Sequence, residues 1–136
     1  MKICIIASNF YPKVTNLLLE GAKKKLHQFN IKSFRLIKVP GTYEIPYTLS
    51  KISHQYDGFI VLGCVIKGET KHFNFLCSSV FNALMTLSIN LKIPIGNGIL
   101  TCNNKKQALK RANPKKKNKG GDAANALISL IKINIK

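Results

Sequence analysis

The sequence predicts an α/β fold, a three-layer sandwich in which a four-stranded parallel sheet is flanked by helices on both faces. Short apolar runs alternate four times with longer segments whose apolar residues recur every three or four positions. This alternation indicates parallel strands joined by right-handed helical crossovers. With 136 residues and 46% hydrophobic content, the chain can bury one core but is too short for two. Residues 1–136 are therefore expected to form a single domain.

The individual elements follow from the periodicity of the apolar residues. The predicted strands are 2–8, 33–39, 57–64 and 93–100. The third strand has an unbroken apolar middle, which is typical of a strand buried on both faces. The predicted helices are one from Val14 to Phe29, a short one around Ile45 to Ile52, a long one from Phe73 to Leu91, and two at 104–112 and 121–133. A loop from Val65 to Lys71 is predicted to separate the third strand from the long helix.

The formal charge of +17 limits the classes of partner. No Asp or Glu occurs between Glu69 and Asp122, so the chain should attract anions ranging from phosphorylated metabolites to nucleic acid. A compositional bias toward Lys, Ile and Asn explains the same charge without any partner. The basic stretch 105–119 has none of the interleaved aromatic residues that single-strand binders use for stacking, which argues against a nucleic-acid module.

The cysteines and the apolar runs indicate a protein of the cytoplasm. Cysteines 4, 64, 77 and 102 form no CxxC pair and share no ligand spacing with the histidines, so reduced thiols and no metal site are expected. The apolar run that follows Lys2 is too short for a signal peptide. Every longer apolar stretch is interrupted by Lys, Asn or Gly, so no membrane span is expected.

The loops that follow the strands are where a ligand is expected, because ligands of parallel α/β sheets bind outside the carboxyl ends of the strands. Phe10 follows the first strand, and its ring could stack on a planar ligand or fold back onto the core. Tyr43 and Glu44 follow the second strand. The Glu44 carboxylate could accept hydrogen bonds from ligand hydroxyls, or it could simply be an acid that suits the first turn of a helix.

The third strand is followed by the sequence KGETKH, at positions 67–72. Gly68, Glu69 and Thr70 lie where backbone N–H groups before a helix could cradle a phosphate, although an ordinary capped turn would look the same. His72 could transfer protons near neutral pH, or it could be a surface residue. Arg111 could reach a phosphate with its fork of donors.

Four separated motifs carry a family resemblance: VPGTYEIP (39–46), LGCVIKGETKHF (62–73), GILT (98–101) and NKGGDAA (118–124). In this order they resemble the signatures of the 6,7-dimethyl-8-ribityllumazine synthase family. The resemblance implies a flavodoxin-like fold and the penultimate step of riboflavin biosynthesis. In that step, 5-amino-6-(D-ribitylamino)uracil condenses with 3,4-dihydroxy-2-butanone 4-phosphate, and phosphate and water are lost. It implies no cofactor, a homo-oligomer of one or more pentamers with sites between neighbours, and a product that passes to riboflavin synthase.

The resemblance also implies roles for individual residues. His72 would be the proton donor. The substrate-binding residues would be Phe10, Thr42, Tyr43, Glu44, Cys64, Val65, Ile66, Gly68, Glu69, Thr70, Asn97, Arg111 and Lys119. Tyr43 stands where many members carry Phe, and Asn97 stands where some carry an aromatic residue. A non-catalytic relative that binds a lumazine or flavin is the alternative to an enzyme, with the basic nucleic-acid module as a weaker one.

Overall fold

The computed structural model describes residues 1–69 and 71–133. The predicted site residue Thr70 lies outside the described residues. The strands are β1 (Ile3–Ser8), β2 (Arg35–Val39), β3 (Gly58–Ile66) and β4 (Ile95–Cys102). The helices are α1 (Pro12–Gln28), α2 (Ile45–Ile52), α3 (Phe73–Leu91), α4 (Lys105–Ala112) and α5 (Lys119–Ile133), with short 3₁₀ turns at Thr42–Glu44 and Ser53–Gln55.

The four strands form one parallel sheet in the order β2-β1-β3-β4, as the alternating pattern predicts. All nine residues of β3 are buried, because β3 is a central strand with helices on both faces. The long helical crossovers satisfy the geometry that parallel pairing requires. All the strands therefore end at the same edge of the sheet, and the loops that follow them lie together there.

The end of β3 differs from the prediction. Val65 and Ile66, predicted to begin the loop, continue the strand and pair with Thr101 and Cys102 of β4. The prediction was wrong here because β4 also runs two residues further than expected, so β3 retains a partner. The N–H of Lys67 even donates to the carbonyl of Cys102 at 2.8 Å.

Two apolar clusters cover the two faces of the sheet. One cluster joins the sheet to α1, α4 and α5 through residues such as Leu18, Ala108 and Leu127. The other joins it to α2 and α3 through residues such as Leu49, Val80 and Leu84. The predicted three-layer sandwich is therefore confirmed, with the core split by the sheet.

Helix α3 is the helix whose side chains are least buried in the single chain. Its exposed apolar side chains include Phe75, Met85, Ile89 and Leu91, and Phe75 is 77% exposed. Contrary to the sequence-based expectation, α3 is long and apolar enough to cross a membrane by length and composition, since its asparagines add no charge. This is weak evidence for a membrane, because apolar helices that pack in globular proteins have the same composition.

Helix α5 packs closely on α1 and on β4 because glycines occupy the contacts. A Cβ atom on Gly120 would meet the backbone of Leu18 in α1, and one on Gly96 would meet the carbonyl of Ala123 in α5. Backbone atoms cannot move aside as the end of a flexible side chain can. These two glycines therefore set how near α5 lies to its neighbours.

We expect Gly120→Ala to lower the free energy of unfolding by about 2 kcal/mol, because the added methyl group overpacks a rigid contact. Urea unfolding followed by circular dichroism measures this. Gly68→Ala is the comparison, since no atom lies within 4 Å of a Cβ there and only its φ of +88° disfavours a side chain. We expect a loss of about 1 kcal/mol for that variant. A Gly120→Ala variant as stable as the wild type would rule out close packing as the role of Gly120.

Candidate active site

A cavity of about 380 Å³ lies at the carboxyl ends of β1, β2 and β3. It brings together eight predicted site residues, namely Phe10, Thr42, Tyr43, Glu44, Cys64, Val65, Ile66 and Glu69. Its wall also contains Tyr11, Pro40, Gly41 and Leu76, which are not among the predicted site residues. We call this the ring cavity, because aromatic side chains stand at its mouth.

Two rings at the mouth of the ring cavity are available to a ligand. Phe10 is 67% exposed and Tyr43 is 71% exposed. The Phe10 ring contacts the Tyr11 ring edge-on, with 5.0 Å between centroids, so the loop after β1 holds Phe10 out rather than letting it fold onto the core. Exposed aromatic faces at a cavity mouth suit a planar, partly polar ligand.

The Glu44 carboxylate has a local structural role. Its Oε1 accepts a hydrogen bond from the backbone N–H of Gly41 at 2.8 Å, which closes the turn that begins at Thr42. For Oε1, the interpretation of Glu44 as an acid in the first turn of a helix is therefore confirmed. The carboxylate still lines the cavity, and a carboxylate oxygen can accept more than one hydrogen bond.

Tyr11 ties the loop after β1 to the loop after β3. Its hydroxyl donates to Oε1 of Glu69 at 3.3 Å, and the Lys105 ammonium lies 5.8 Å from the centroid of its ring. Burial, followed by the negative charge of Glu69, raises the pKa of Tyr11 from its ordinary 10.0 to about 12. The hydroxyl therefore stays protonated and able to donate throughout the neutral range.

We expect Tyr11→Phe to lower the free energy of unfolding by about 0.5–1 kcal/mol at pH 8, the net contribution of one hydrogen bond. Because the folded state holds the Tyr11 proton more tightly, this contribution is present below pH 10 and is lost as the pH rises to about 12. The difference in the free energy of unfolding between the wild type and the variant, measured by urea unfolding, should therefore be smaller at pH 11 than at pH 8. Tyr47→Phe, at an exposed position of α2, is the control, and an identical pH response there would contradict this role.

Gly68 and His72 lie beside the ring cavity rather than in its described wall. Gly68 adopts a φ of +88°, which turns the chain sharply after β3. His72 is the exposed residue that immediately precedes α3, and its carbonyl accepts the N–H of Leu76, a residue of the cavity wall, at 2.7 Å. The predicted place of His72 at a helix N-terminus is therefore confirmed.

The remaining predicted residues, Asn97, Arg111 and Lys119, lie elsewhere on the chain. They line a second cavity of about 590 Å³ between β4, the end of α4 and the start of α5, together with Lys117 and Asp122. We call this the basic cavity. One chain thus carries two separate groups of predicted site residues, and it does not bring them together.

The polar side chains of the basic cavity are already held in place. Nη1 of Arg111 donates to the Thr101 carbonyl at 3.1 Å and lies 3.7 Å from Sγ of Cys102. The Lys119 ammonium lies 3.7 Å from the Asp122 carboxylate. Oδ1 of Asn97 accepts the N–H of Ile99 at 2.9 Å, so its amide N–H₂ remains oriented as a donor. At position 97 this chain can therefore offer hydrogen bonds to a ligand, whereas an aromatic residue would offer stacking.

Comparison with known proteins identifies the family. The family model of 6,7-dimethyl-8-ribityllumazine synthase matches residues 1–134. The chain belongs to this family. A protein of that name from Bartonella tribocorum is 43% identical, covering 95% of this chain and 87% of its own length. Those from Afipia carboxidovorans and Zymomonas mobilis are 39% and 41% identical, each covering 99% of this chain and 86% and 97% of their own lengths.

Membership in the lumazine synthase family makes the chain an enzyme, a transferase of riboflavin biosynthesis. The family was predicted from the four motifs, and the fold class from the alternation of apolar runs with helical segments. The comparisons do not favour the non-catalytic binder or the nucleic-acid module as the chain's function.

The cysteines of this lumazine synthase family member are free. Cys64 lines the ring cavity and lies near Cys102, which contacts Arg111 of the basic cavity. Burial, followed by the neighbouring Cys102, raises the pKa of Cys64 to about 12. Burial also raises the pKa of Cys102, although Arg111 partly opposes it. A thiol that stays protonated at neutral pH is a poor nucleophile.

No group of three or more His, Cys, Asp or Glu side chains that could hold a metal ion occurs in residues 1–69 and 71–133. The donors around both cavities are mostly hydroxyl, amide and cationic groups. Such groups suit a polar, phosphorylated substrate better than a divalent cation.

Proposed function

We propose that this chain condenses 5-amino-6-(D-ribitylamino)uracil with 3,4-dihydroxy-2-butanone 4-phosphate to form 6,7-dimethyl-8-ribityllumazine, releasing phosphate and water. The observation that carries the proposal is the ring cavity, where two exposed aromatic rings, the carboxylates of Glu44 and Glu69 and the end of β3 meet. A heteroaromatic ring with a polyhydroxyl chain needs this combination of groups.

The ribitylaminouracil occupies the ring cavity in this proposal. Phe10 stacks on the pyrimidine, and the Tyr43 ring lies across the mouth. Glu44 accepts hydrogen bonds from the ribityl hydroxyls, with its position fixed by the bond from Gly41. The last three residues of β3 present backbone groups to the same substrate, namely Cys64, Val65 and Ile66. Thr42 lies in the turn that carries Tyr43.

His72 moves the protons. Imine formation, phosphate elimination and ring closure each transfer a proton, and an imidazole can serve in both directions near neutral pH. The turn through Gly68 and Glu69, with Thr70, receives the phosphate beside His72. Since the chemistry joins two bound substrates, much of the rate enhancement should come from holding them together.

The complete site contains residues from two neighbouring subunits. The phosphate of the ketone needs a cation, and Arg111 and Lys119 line the basic cavity rather than the ring cavity. An assembly that places the basic cavity of one subunit against the ring cavity of the next would unite the two groups. Asn97 would then face the pyrimidine from the neighbouring chain.

The exposed apolar side of α3 supports such an assembly. Phe75, Met85 and Ile89 are each more than half exposed in the single chain, which is typical of a surface covered by another subunit. A closed ring of five subunits, or a multiple of it, is the assembly we propose. In this proposal the enzyme acts in the cytoplasm, not in a membrane, and riboflavin synthase consumes its product.

Two assays test the proposed reaction. The purified protein with both substrates should form a fluorescent lumazine and release one phosphate per product, and no product above the uncatalysed background would overturn the proposal. Analytical ultracentrifugation should give a mass of five chains or a multiple of five.

A complementation experiment tests the shared site. The variants His72→Ala and Arg111→Ala damage different groups of residues, so subunits of the two kinds mixed by unfolding and refolding should regain activity. In a mixed ring, a neighbouring pair can combine an intact His72 with an intact Arg111. Refolding each variant alone is the control. Activity that stays at the average of the two pure variants would contradict a site shared between subunits.

A further inference from the structure

A third cavity, of whose lining the proposed function uses Arg111 alone, lies on the outer side of α4. It has a volume of about 400 Å³ and is formed by α4 together with the loop that follows it. Its lining residues are Asn104, Lys106, Gln107, Lys110, Arg111 and Lys117. We call it the outer groove. Four of the six side chains are cationic and none is acidic.

No acidic side chain lines the outer groove, although Asp122 lines the adjoining basic cavity together with Arg111 and Lys117. The acidic residues of the chain are Glu20, Glu44, Asp57, Glu69 and Asp122, and none belongs to the groove. Within the described part of the chain, the ion pairs are Lys24 with Glu20 and Lys119 with Asp122. Four cations therefore line one space that has no acid in its lining, an arrangement that an anion stabilises.

The backbone around the outer groove is held rigidly. The N–H of Lys117 donates to the carbonyl of Lys110 at 3.3 Å, which joins the loop to α4. Asn113 also stabilises the loop, because its carbonyl accepts hydrogen bonds from the N–H groups of Lys116 and Asn118 at 2.9 and 3.0 Å. Lysines carried on a fixed frame lose less backbone freedom when an anion binds than lysines on a loose tail would.

The outer groove adjoins the basic cavity. Arg111 and Lys117 line both spaces, so the two spaces share two cations. A space of about 400 Å³ is large enough for a phosphate or a phosphate monoester. Asn104 and Gln107 add side-chain amides, although Oδ1 of Asn104 already accepts the N–H of Gln107 at 2.8 Å.

We propose that the outer groove is a second phosphate-binding site, which takes inorganic phosphate or a phosphate monoester. This inference rests on the proposed function for its use in the cell, since the phosphate released beside Arg111 would move to the groove on its way out. The binding of phosphate itself does not depend on that function.

The test is a titration of the intact protein with inorganic phosphate, followed by calorimetry and by ³¹P NMR at low salt. We expect two sites per chain. The double variant Lys106→Gln/Lys110→Gln should weaken one of them by about fivefold or more, because two exposed cations are lost from a single site. That site should also weaken in 0.5 M NaCl.

The control is Lys51→Gln/Lys92→Gln, which removes the same charge at exposed positions outside the groove. If both double variants bind phosphate alike, or if the wild type shows one site, the inference is overturned. It is also overturned if the groove variant loses affinity for an oligonucleotide but not for phosphate. Lumazine formation is measured in parallel, so an inactive protein that still shows two phosphate sites would refute the proposed function and leave this inference standing.

Discussion

His72→Ala is expected to lower kcat by about 100-fold, with a much smaller change in either Michaelis constant. A positioned general acid–base contributes about 10² to 10⁴ in rate, and the lower end applies where juxtaposition of two substrates supplies much of the acceleration. Steady-state formation of the fluorescent product, with each substrate varied in turn, measures both parameters. His72 precedes α3 and is exposed, so the fold should survive the change.

The matched control is His54→Ala, which removes an exposed histidine from the turn Ser53–Gln55, outside both cavities. It should leave kcat unchanged. A comparable loss in both histidine variants would mean that His72 has no special part in the reaction. A rise in the Michaelis constants without a fall in kcat would show that His72 binds substrate but moves no proton.

Arg111→Ala is expected to raise the Michaelis constant for the phosphorylated ketone by about 30-fold, the equivalent of losing about 2 kcal/mol from a charge-assisted hydrogen bond. The Michaelis constant for the ribitylaminouracil and kcat should change far less. Kinetics with the second substrate held at saturation separate these effects. A uniform loss in every parameter would contradict the assignment of Arg111 to the phosphate.

Arg111 also donates to the Thr101 carbonyl, so the alanine variant should be less stable by about 1 kcal/mol. Arg111→Lys separates binding from stability, because it keeps the charge but lacks the two-pronged geometry. We expect it to lie between the wild type and Arg111→Ala in the Michaelis constant. If both variants lost stability while all their Michaelis constants matched those of the wild type, the residue would be structural only.

The order of the elements could be predicted because it depends on local periodicity, which a single sequence displays. The ends of β3 and β4 could not, since pairing between the two strands decides them. Val65 and Ile66 stay extended only because Thr101 and Cys102 continue beside them. No pattern within 57–71 contains that information.

The ring cavity was predictable in outline because topology alone places the strand ends at one edge. Phe10, Glu44 and Glu69 meet there as expected. Tyr11 was not predicted as a site residue, because its hydrogen bond to Glu69 joins residues 58 positions apart and leaves no pattern in either segment. The separation of Arg111 from the ring cavity could not be predicted from the spacing of residues in the sequence either, because it depends on where α4 lies relative to the sheet.

The apolar side of α3 has a consequence for how the protein must be handled and made. A face that carries Phe75, Met85, Ile89 and Leu91 is costly to leave in water, so a lone chain is both less stable and prone to stick to other surfaces. If the working unit is a ring, activity per chain should decline on dilution below the concentration at which rings form. Each newly synthesised chain would then have to associate quickly with other subunits. A low concentration of the enzyme would therefore lower its active fraction as well as its total amount.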